Sequence, residues 1–251
     1  MSGHSKWHSI RHKKGAVDAK RGKLFSKLTR AIIVAAREGG PDPDNNLALQ
    51  NAIEKARESS MPKDTIERAI ARGAGTGGDA EAYEQVTYEG YGPTGVAVLV
   101  EALTDNRNRT AADVRHVFAK NEGNLGTSGA VAWLFERKGV ILVPADSADE
   151  DELMLAAADA GAEDVSVEGS SYQVTCSPED LSSVRQRLEQ AGIQIESAEL
   201  TMLPKTTVEV ADEAAARKLI RLMEALEEND DVQDVYANFD IPEGVLEAVA
   251  A

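Results

Sequence analysis

The sequence predicts a three-domain α+β protein, in which a bundle of three short helices precedes two α/β domains, one inserted in the other. Apolar residues recur at helical spacing from residue 18 to residue 73. Beyond residue 82 they fall into short strand-like runs that alternate with helical segments. The glycine-rich stretch 73–82 between the two regions is typical of a flexible linker.

The N-terminal domain, residues 1–75, is predicted to hold the three helices. The first spans 18–38 and ends at a Gly-Gly-Pro sequence. The second spans 45–59, and the third begins near Pro62 and stops near Gly73. Each has an apolar side, which we expect to form the core of the bundle: Leu24, Phe25, Leu28, Ile32, Ala35 and Ala36; Leu49, Ala52, Ile53 and Ala56; Ile66, Ala69 and Ile70.

The middle domain is predicted to be discontinuous, with residues 82–137 and 205–240 forming one interrupted sheet. Its expected elements are two strands within 83–104, a helix over 110–120, a strand over 130–137, a strand over 206–210, a helix over 212–228 and a strand over 231–239.

The inserted domain, residues 138–204, follows the order β-α-β-β-α-β, which is the ferredoxin-like order. Its expected elements are a strand at 139–144, a helix at 149–160, strands near 164–168 and 172–176, a helix at 178–191 and a strand around 196–203.

Charge is strongly segregated along the chain. Residues 1–37 carry a formal charge of +9, whereas the remaining residues carry −25. A solvated charged face is one explanation, but an asymmetry this sharp favours a polyanionic partner for the basic end. The acidic remainder would repel nucleic acid and so restrict binding to that end.

The basic residues of the first helix lie beside its apolar side. At 100° per residue they cover an arc of about 100°. They are Lys20, Lys23, Lys27, Arg30 and Arg37. The preceding arm and this helical face would therefore form one polyanion-binding surface. Trp7 within the arm either anchors the arm on the protein or stacks on a base.

The sequence "TDNRNRTAAD" (104–113) indicates a second candidate anion site. Thr110 followed by Asp113 resembles a capping box, and Arg107 and Arg109 lie just before it. Free amides at a helix N-terminus and adjacent arginines suit an anion such as phosphate. The alternative, which the sequence leaves open, is that these arginines pair with Asp105 or with other acidic residues.

Catalysis, cofactors and metals find little support in the sequence. "GYGPTG" (90–95) leads into a strand and not a helix, so we expect a hairpin turn and no dinucleotide site. His4, His8 and His12 are four apart, but surrounding cations oppose a metal ion. No catalytic motif is present. We therefore expect no enzyme activity, cofactor, metal or small-molecule substrate.

Targeting and redox features are those of a cytoplasmic protein. No run of about 18 apolar residues predicts a membrane span, so we expect no membrane partner. The N-terminus is charged where a signal peptide would be apolar. Cys176 is the only cysteine, which excludes an intrachain disulfide, and we expect it in a buried strand.

Several motifs resemble the YebC family: "MSGHSKWHSIRHKK", "AIEKARESSMPKDTIERAI", "EALTDNRNRTA" and "FERKG". The family includes PmpR-type regulators and the mitochondrial translational activator of cytochrome oxidase subunit one. The resemblance extends to "NFDIPE" (238–243) and implies three domains and no enzyme activity. It implies either a DNA-binding transcriptional regulator or a ribosome-associated translation factor that eases stalling at proline runs.

The sequence thus predicts a cytoplasmic, non-catalytic, nucleic-acid-binding regulator of gene expression. Its partner would be promoter DNA or ribosomal RNA, and a protein–protein adaptor is the alternative from a different class. The predicted nucleic-acid-binding residues are Lys6, Trp7, His8, Arg11, Lys13, Lys14, Lys20, Arg21, Lys23, Lys27, Arg30, Arg107 and Arg109.

Overall fold

A computed structural model describes the protein over residues 18–75 and 83–250. The described residues form eight α-helices: α1 (Asp18–Gly39), α2 (Leu47–Glu58), α3 (Lys63–Gly73), α4 (Arg107–Lys120), α5 (Glu150–Ala160), α6 (Leu181–Gln190), α7 (Glu213–Glu227) and α8 (Glu243–Ala250). They also form ten strands: β1 (Glu84–Tyr91), β2 (Ala97–Thr104), β3 (Asn124–Leu125), β4 (Phe135–Pro144), β5 (Asp164–Glu168), β6 (Ser171–Cys176), β7 (Ser197–Pro204), β8 (Val208–Glu209), β9 (Val232–Ala237) and β10 (Phe239–Asp240).

Helices α1, α2 and α3 pack into a helical unit around the predicted apolar sides. The most deeply buried members include Ile32, Leu49 and Ala56, each at 0% exposure. Asn46 caps α2 by accepting a hydrogen bond from the backbone nitrogen of Leu49. Its side-chain nitrogen also donates to the carbonyl oxygen of Ala35, which joins the end of α1 to the start of α2.

The first sheet has the strand order β3-β1-β2-β9, and all of its pairs are antiparallel. Helices α4, α7 and α8 cover one face, with Phe118 and Leu222 among the fully buried side chains. Gly90 lets β3 approach β1, because a Cβ at this position would lie 2.7 Å from both the Phe118 ring and the Asn124 carbonyl oxygen.

The second sheet has the order β5-β6-β4-β7, again antiparallel throughout. With α5 after β4 and α6 after β6, it has the connectivity predicted for the ferredoxin-like segment. Cys176 is fully buried in β6, as the sequence predicts.

Two strands of the predicted middle domain are placed differently in the structure. The stretch 130–137 is not a separate strand: Ala132–Leu134 form a 3-10 turn, and residues 135–137 begin β4. The predicted boundary at 137/138 therefore falls inside one strand that pairs with β7 along its length. Residues 208–209 pair with β10 in a separate two-stranded parallel sheet and do not join the first sheet.

The helical unit and the two sheets contact one another. Leu99 and Tyr236 from the first sheet pack with Val131 and Phe135, next to Met202 of β7. Helix α2 forms ion pairs with both α/β parts, from Lys55 to Asp234 in β9 and from Glu54 to Arg185 in α6. The predicted α+β class, with a helical N-terminal unit and two α/β parts, is confirmed.

Candidate nucleic-acid interface

The basic face of α1 lies against the C-terminal end of α7. The ammonium groups of Lys23 and Lys27 donate to the carbonyl oxygens of Glu228 and Glu227, at 3.1 and 2.6 Å. One turn further along α1, Arg30 donates to the carbonyl oxygen of Asp230. Three of the predicted phosphate-binding residues therefore already have partners within the protein.

These contacts follow from the polarity of a helix end. The last carbonyl groups of α7 have no partner within that helix and carry the negative end of its dipole, so cations stabilise them. A carbonyl oxygen has no net charge, and an ammonium group has three donors, of which Lys23 uses one in this bond. Lys23 is exposed and keeps donors for a further anionic partner.

Asp231 joins α1 to α4 just beyond this helix end. Its carboxylate, 6% exposed, accepts hydrogen bonds from Arg30 at 2.9 Å, Arg109 at 2.7 Å and the Thr110 hydroxyl at 2.7 Å. Burial raises the pKa of Asp231, but the hydrogen bonds from Arg109 and Thr110 outweigh burial, so the pKa lies below its ordinary value. Arg109 also pairs with Asp105 at 2.7 Å. Of the two alternatives for Arg109, the structure shows internal pairing.

A polar groove of about 540 Å³ opens at this junction. Carboxylates outnumber cations in its lining, which consists of Arg30, Tyr83, Asp105, Arg109, Asp113, Glu228, Asn229, Asp230 and Asp231. Phosphate would meet repulsion here, because both arginines are already held by carboxylates. The groove is therefore not the part of the junction that suits nucleic acid.

The N-terminus of α4 begins earlier than the capping box predicts. Asn106 is the N-cap and accepts a hydrogen bond from the backbone nitrogen of Arg109 at 3.1 Å. Thr110 instead lies within the helix and is fully buried, and its hydroxyl donates a hydrogen bond to the Asp231 carboxylate. The Arg107 side chain is exposed, and within the described part of the chain it has neither a hydrogen bond nor an ion pair. It is the arginine of the pair that is accessible to an anion.

The predicted residues of the arm lie outside the described residues: Lys6, Trp7, His8, Arg11, Lys13 and Lys14. The histidines at 4, 8 and 12 also lie there. Lys20 and Arg21 are on the described backbone of α1, but their side chains are outside the described part.

The residues that the structure describes do not favour other kinds of site. No group of three His, Cys, Asp or Glu side chains among them could hold a metal ion. Burial raises the pKa of the Cys176 thiol to about 11, which suits an inert thiol and not a nucleophile. No helix in the described ranges is long and apolar enough to cross a membrane.

Two features of the structure have no distinct signal in the sequence. Asp231 belongs to the acidic run "ENDDVQD", and nothing in that run distinguishes it from its neighbours. Trp133 is 66% exposed, although it lies among small and apolar residues that suggest a buried strand. A burial difference of this kind depends on tertiary contacts.

This fold defines a class of three-part α+β proteins whose helical N-terminal unit carries a basic face. Models of two protein families match the chain: TACO1/YebC protein N-terminal domain over residues 5–76, and TACO1/YebC second and third domain over residues 83–239. The chain belongs to the TACO1/YebC family, which confirms the resemblance seen in its motifs.

Close relatives match over their full length. Proteins from Rubrobacter xylanophilus and Persephonella marina are 62% and 55% identical, over 250 and 251 residues, and each alignment covers 100% of both chains. Both are named probable transcriptional regulatory protein. The crystal structure of a conserved hypothetical protein from Aquifex aeolicus matches with a TM-score of 0.80 and 54% identity, covering 91% of this chain and 93% of that one.

Proposed function

We propose that the protein is a non-catalytic regulator of gene expression that binds nucleic acid through its basic N-terminal segment, residues 1–37. The observation that carries the proposal is the charge separation, +9 in this segment against −25 in the rest of the chain. Relatives named probable transcriptional regulatory protein support the regulatory role and favour promoter DNA as the target.

Binding is proposed to be mainly electrostatic, with lysines and arginines of the arm and of α1 contacting phosphates. Lys23 is the described member with the best access, because it is exposed and its bond to α7 uses one donor. Lys27 and Arg30 act mainly in holding α1 on α7. Arg107 provides a further cation on the exposed N-terminus of α4.

The test compares two double variants of equal charge change in the full-length protein. Lys13→Glu/Lys14→Glu alters the arm, whereas Lys63→Glu/Arg221→Glu alters exposed cations elsewhere. Fluorescence anisotropy with promoter duplex is measured over a salt series. The arm variant is expected to bind more weakly, with a salt slope reduced by about 0.9 for each phosphate that the protein no longer neutralises. The control variant keeps the wild-type slope.

An arm variant with wild-type affinity and salt slope would contradict the proposal. Lys23→Glu/Lys27→Glu provides a second test. Because both lysines also hold α1 on α7, the unfolding midpoint of this variant must be measured together with its affinity. A loss of affinity without a loss of folded protein assigns phosphate binding to the basic face.

One observation keeps a ribosomal RNA target as a second candidate. Helix α3 would have to be the base-reading helix of the unit, yet Lys63 pairs with Glu67 at 3.6 Å and Arg68 is bonded to Asp64 and Thr65. This favours recognition of shape and backbone, which suits RNA as well as DNA. Co-sedimentation with ribosomal subunits in a sucrose gradient, beside crosslinking to promoter DNA, separates the two targets.

A further inference from the structure

An exposed aromatic pair lies at the edge of the first sheet, away from the basic face of α1. Trp133 is 66% exposed and Tyr91 is 39% exposed. The indole nitrogen of Trp133 and the hydroxyl of Tyr91 both donate to the carbonyl oxygen of Ala130, each at 3.1 Å. The polar atoms of both side chains therefore converge on one carbonyl oxygen, while both side chains remain exposed.

The loop before Trp133 is ordered by hydrogen bonds to a buried carboxylate. The buried carboxylate of Glu89 accepts hydrogen bonds from the backbone nitrogens of Gly129, Val131 and Ala132, at 2.6, 2.7 and 2.7 Å. Gly129 has a φ of +84°, which suits glycine and lets the backbone turn toward that carboxylate. Little conformational entropy is then lost when a ligand meets the rings.

Charges around the aromatic pair favour an anionic partner. Three nearby carboxylates already have partners. Glu89 is buried and accepts hydrogen bonds from the loop, Glu122 pairs with Lys218, and Glu136 pairs with Lys138. Two exposed cations lie on segments that adjoin the pair in the fold and, within the described residues, have no ion pair: Lys120 and Lys205.

These lysines belong to segments that pack at the aromatic pair. The backbone nitrogen of Lys205 donates a hydrogen bond to the carbonyl oxygen of Leu134, the residue after Trp133. Lys120 ends α4, which leads into β3, where Asn124 lies directly opposite Tyr91. Exposed aromatic rings with exposed cations on the adjoining segments fit a ligand that combines flat rings with negative charge.

We propose that Tyr91 and Trp133 form a stacking platform for an unpaired base of a single-stranded nucleic acid. The proposal rests on the proposed function and adds a second contact to it, one that recognises unstacked bases rather than backbone charge. Bases stack on aromatic side chains whatever their identity, so the platform selects for strandedness and not for sequence.

The test uses the full-length protein with two labelled probes of equal length, single-stranded oligo(A) RNA and a duplex. Trp133→Ala is expected to weaken binding of the single strand at least about fivefold, which corresponds to about 1 kcal/mol of lost stacking. Tyr91→Ala should have a smaller effect, and Trp133→Phe should stay close to the wild type. Duplex affinity should change little in all three variants.

The matched control is Leu155→Ala, which removes a 70% exposed apolar side chain on α5. A spectroscopic readout comes from comparing the wild type with Trp133→Phe, which leaves Trp7 as the only tryptophan. Stacking on Trp133 should quench the fluorescence of the wild type more than that of Trp133→Phe when oligo(A) is added. Unfolding midpoints of all variants establish that they are folded.

The possible outcomes separate this proposal from the proposed function. If the wild type binds the probes, Trp133→Ala binds oligo(A) equally well, and oligo(A) quenches the wild type and Trp133→Phe alike, the platform is overturned and the proposed function stands. Equal losses for single strand and duplex, or a changed oligomeric state in place of a changed affinity, also overturn the platform. If the wild type binds neither probe, both proposals fail.

Discussion

At the scale of single residues, Glu89 shows how a buried carboxylate can order a loop. It is 6% exposed, and three backbone nitrogens donate to it. Burial raises the pKa of Glu89, but these hydrogen bonds outweigh burial, so the pKa lies below its ordinary value. The ionised carboxylate is therefore the form that holds the loop under Trp133.

Glu89→Gln is expected to lower the free energy of unfolding at pH 7 by about 1–3 kcal/mol, because the amide nitrogen replaces an acceptor and leaves buried donors unsatisfied. The lowered pKa sets the pH dependence. The advantage of the wild type is present above the ordinary value of 4.5 and is lost as the pH falls through the lowered folded value. Denaturant unfolding at pH 7 and in acid measures both effects.

The control for this prediction is Glu84→Gln, which changes an exposed carboxylate on the same strand. It should unfold like the wild type at both pH values. An equal loss in the two variants, or a difference between Glu89→Gln and wild type that persists in acid, would count against the role given to Glu89.

The two arginines in the first turn of α4 show what sequence can and cannot predict about a single residue. The pattern indicated a helix start close to the arginines, although it placed the cap at Thr110 and not at Asn106, and it could not separate phosphate binding from internal pairing. The deciding partner of Arg109 is Asp231, which lies 122 residues away in sequence. For Arg107 the outcome depends on exposure, which also follows from tertiary contacts.

At the scale of elements, β2 and β9 bring two like charges opposite each other. Glu101 pairs in register with Asp234, next to an irregularity in the ladder. Burial and then the charge of Asp234 raise the pKa of Glu101, although Arg137, Tyr236 and Lys55 act in the opposite direction. The ionised form of Glu101 is therefore unfavourable in the folded protein.

Glu101→Gln is expected to stabilise the protein at pH 7 by about 0.2–1 kcal/mol, since like charges directly opposite destabilise an antiparallel pair. Because the folded pKa is raised, the wild type gains stability as the pH falls from neutral through that value toward 4.5. The difference between variant and wild type should therefore shrink in acid. Thermal unfolding of both proteins across this pH range measures the effect.

Glu136→Gln is a suitable comparison for Glu101, because Glu136 is about half exposed and pairs with Lys138 at 3.2 Å. Its stability should stay within about 0.5 kcal/mol of the wild type at every pH. A destabilised Glu101→Gln at neutral pH would show that the Glu101 carboxylate is favourable where it lies.

Elements differed in how well their extents could be predicted. The apolar side of α1 was predictable because a period of 3.6 persists over its whole length. The extent of β4 was not, because Gly139 suggests a break between two strands. Continuity through that glycine is decided by the pairing of β4 with β7, from Phe135 opposite Pro204 to Leu142 opposite Ser197.

At the scale of the whole molecule, α1 joins the helical unit to the end of α7. Sequence periodicity identified the basic face of α1, but not what that face touches, because the hydrogen bonds span about 200 residues. Under the proposed function, Lys23 would serve both folding and binding. A nucleic acid on this face would meet a surface already ordered by α7, so its phosphates would find prearranged cations.

Asp231→Asn is expected to loosen this junction, because Arg30 and Arg109 lose the charge of their shared partner. We expect a loss of about 2 kcal/mol at pH 7, below the range for fully buried pairs because Arg109 is 46% exposed and keeps Asp105. Since the pKa of Asp231 is lowered, the loss should fade as the pH drops below 3.8. Amide hydrogen exchange should accelerate in α1 and at the end of α7.

Asp105→Asn, which removes only the exposed pair, should change stability by less than about 1 kcal/mol. Equal effects of the two variants, or unchanged exchange in α1, would mean that Asp231 does not hold the helical unit in place.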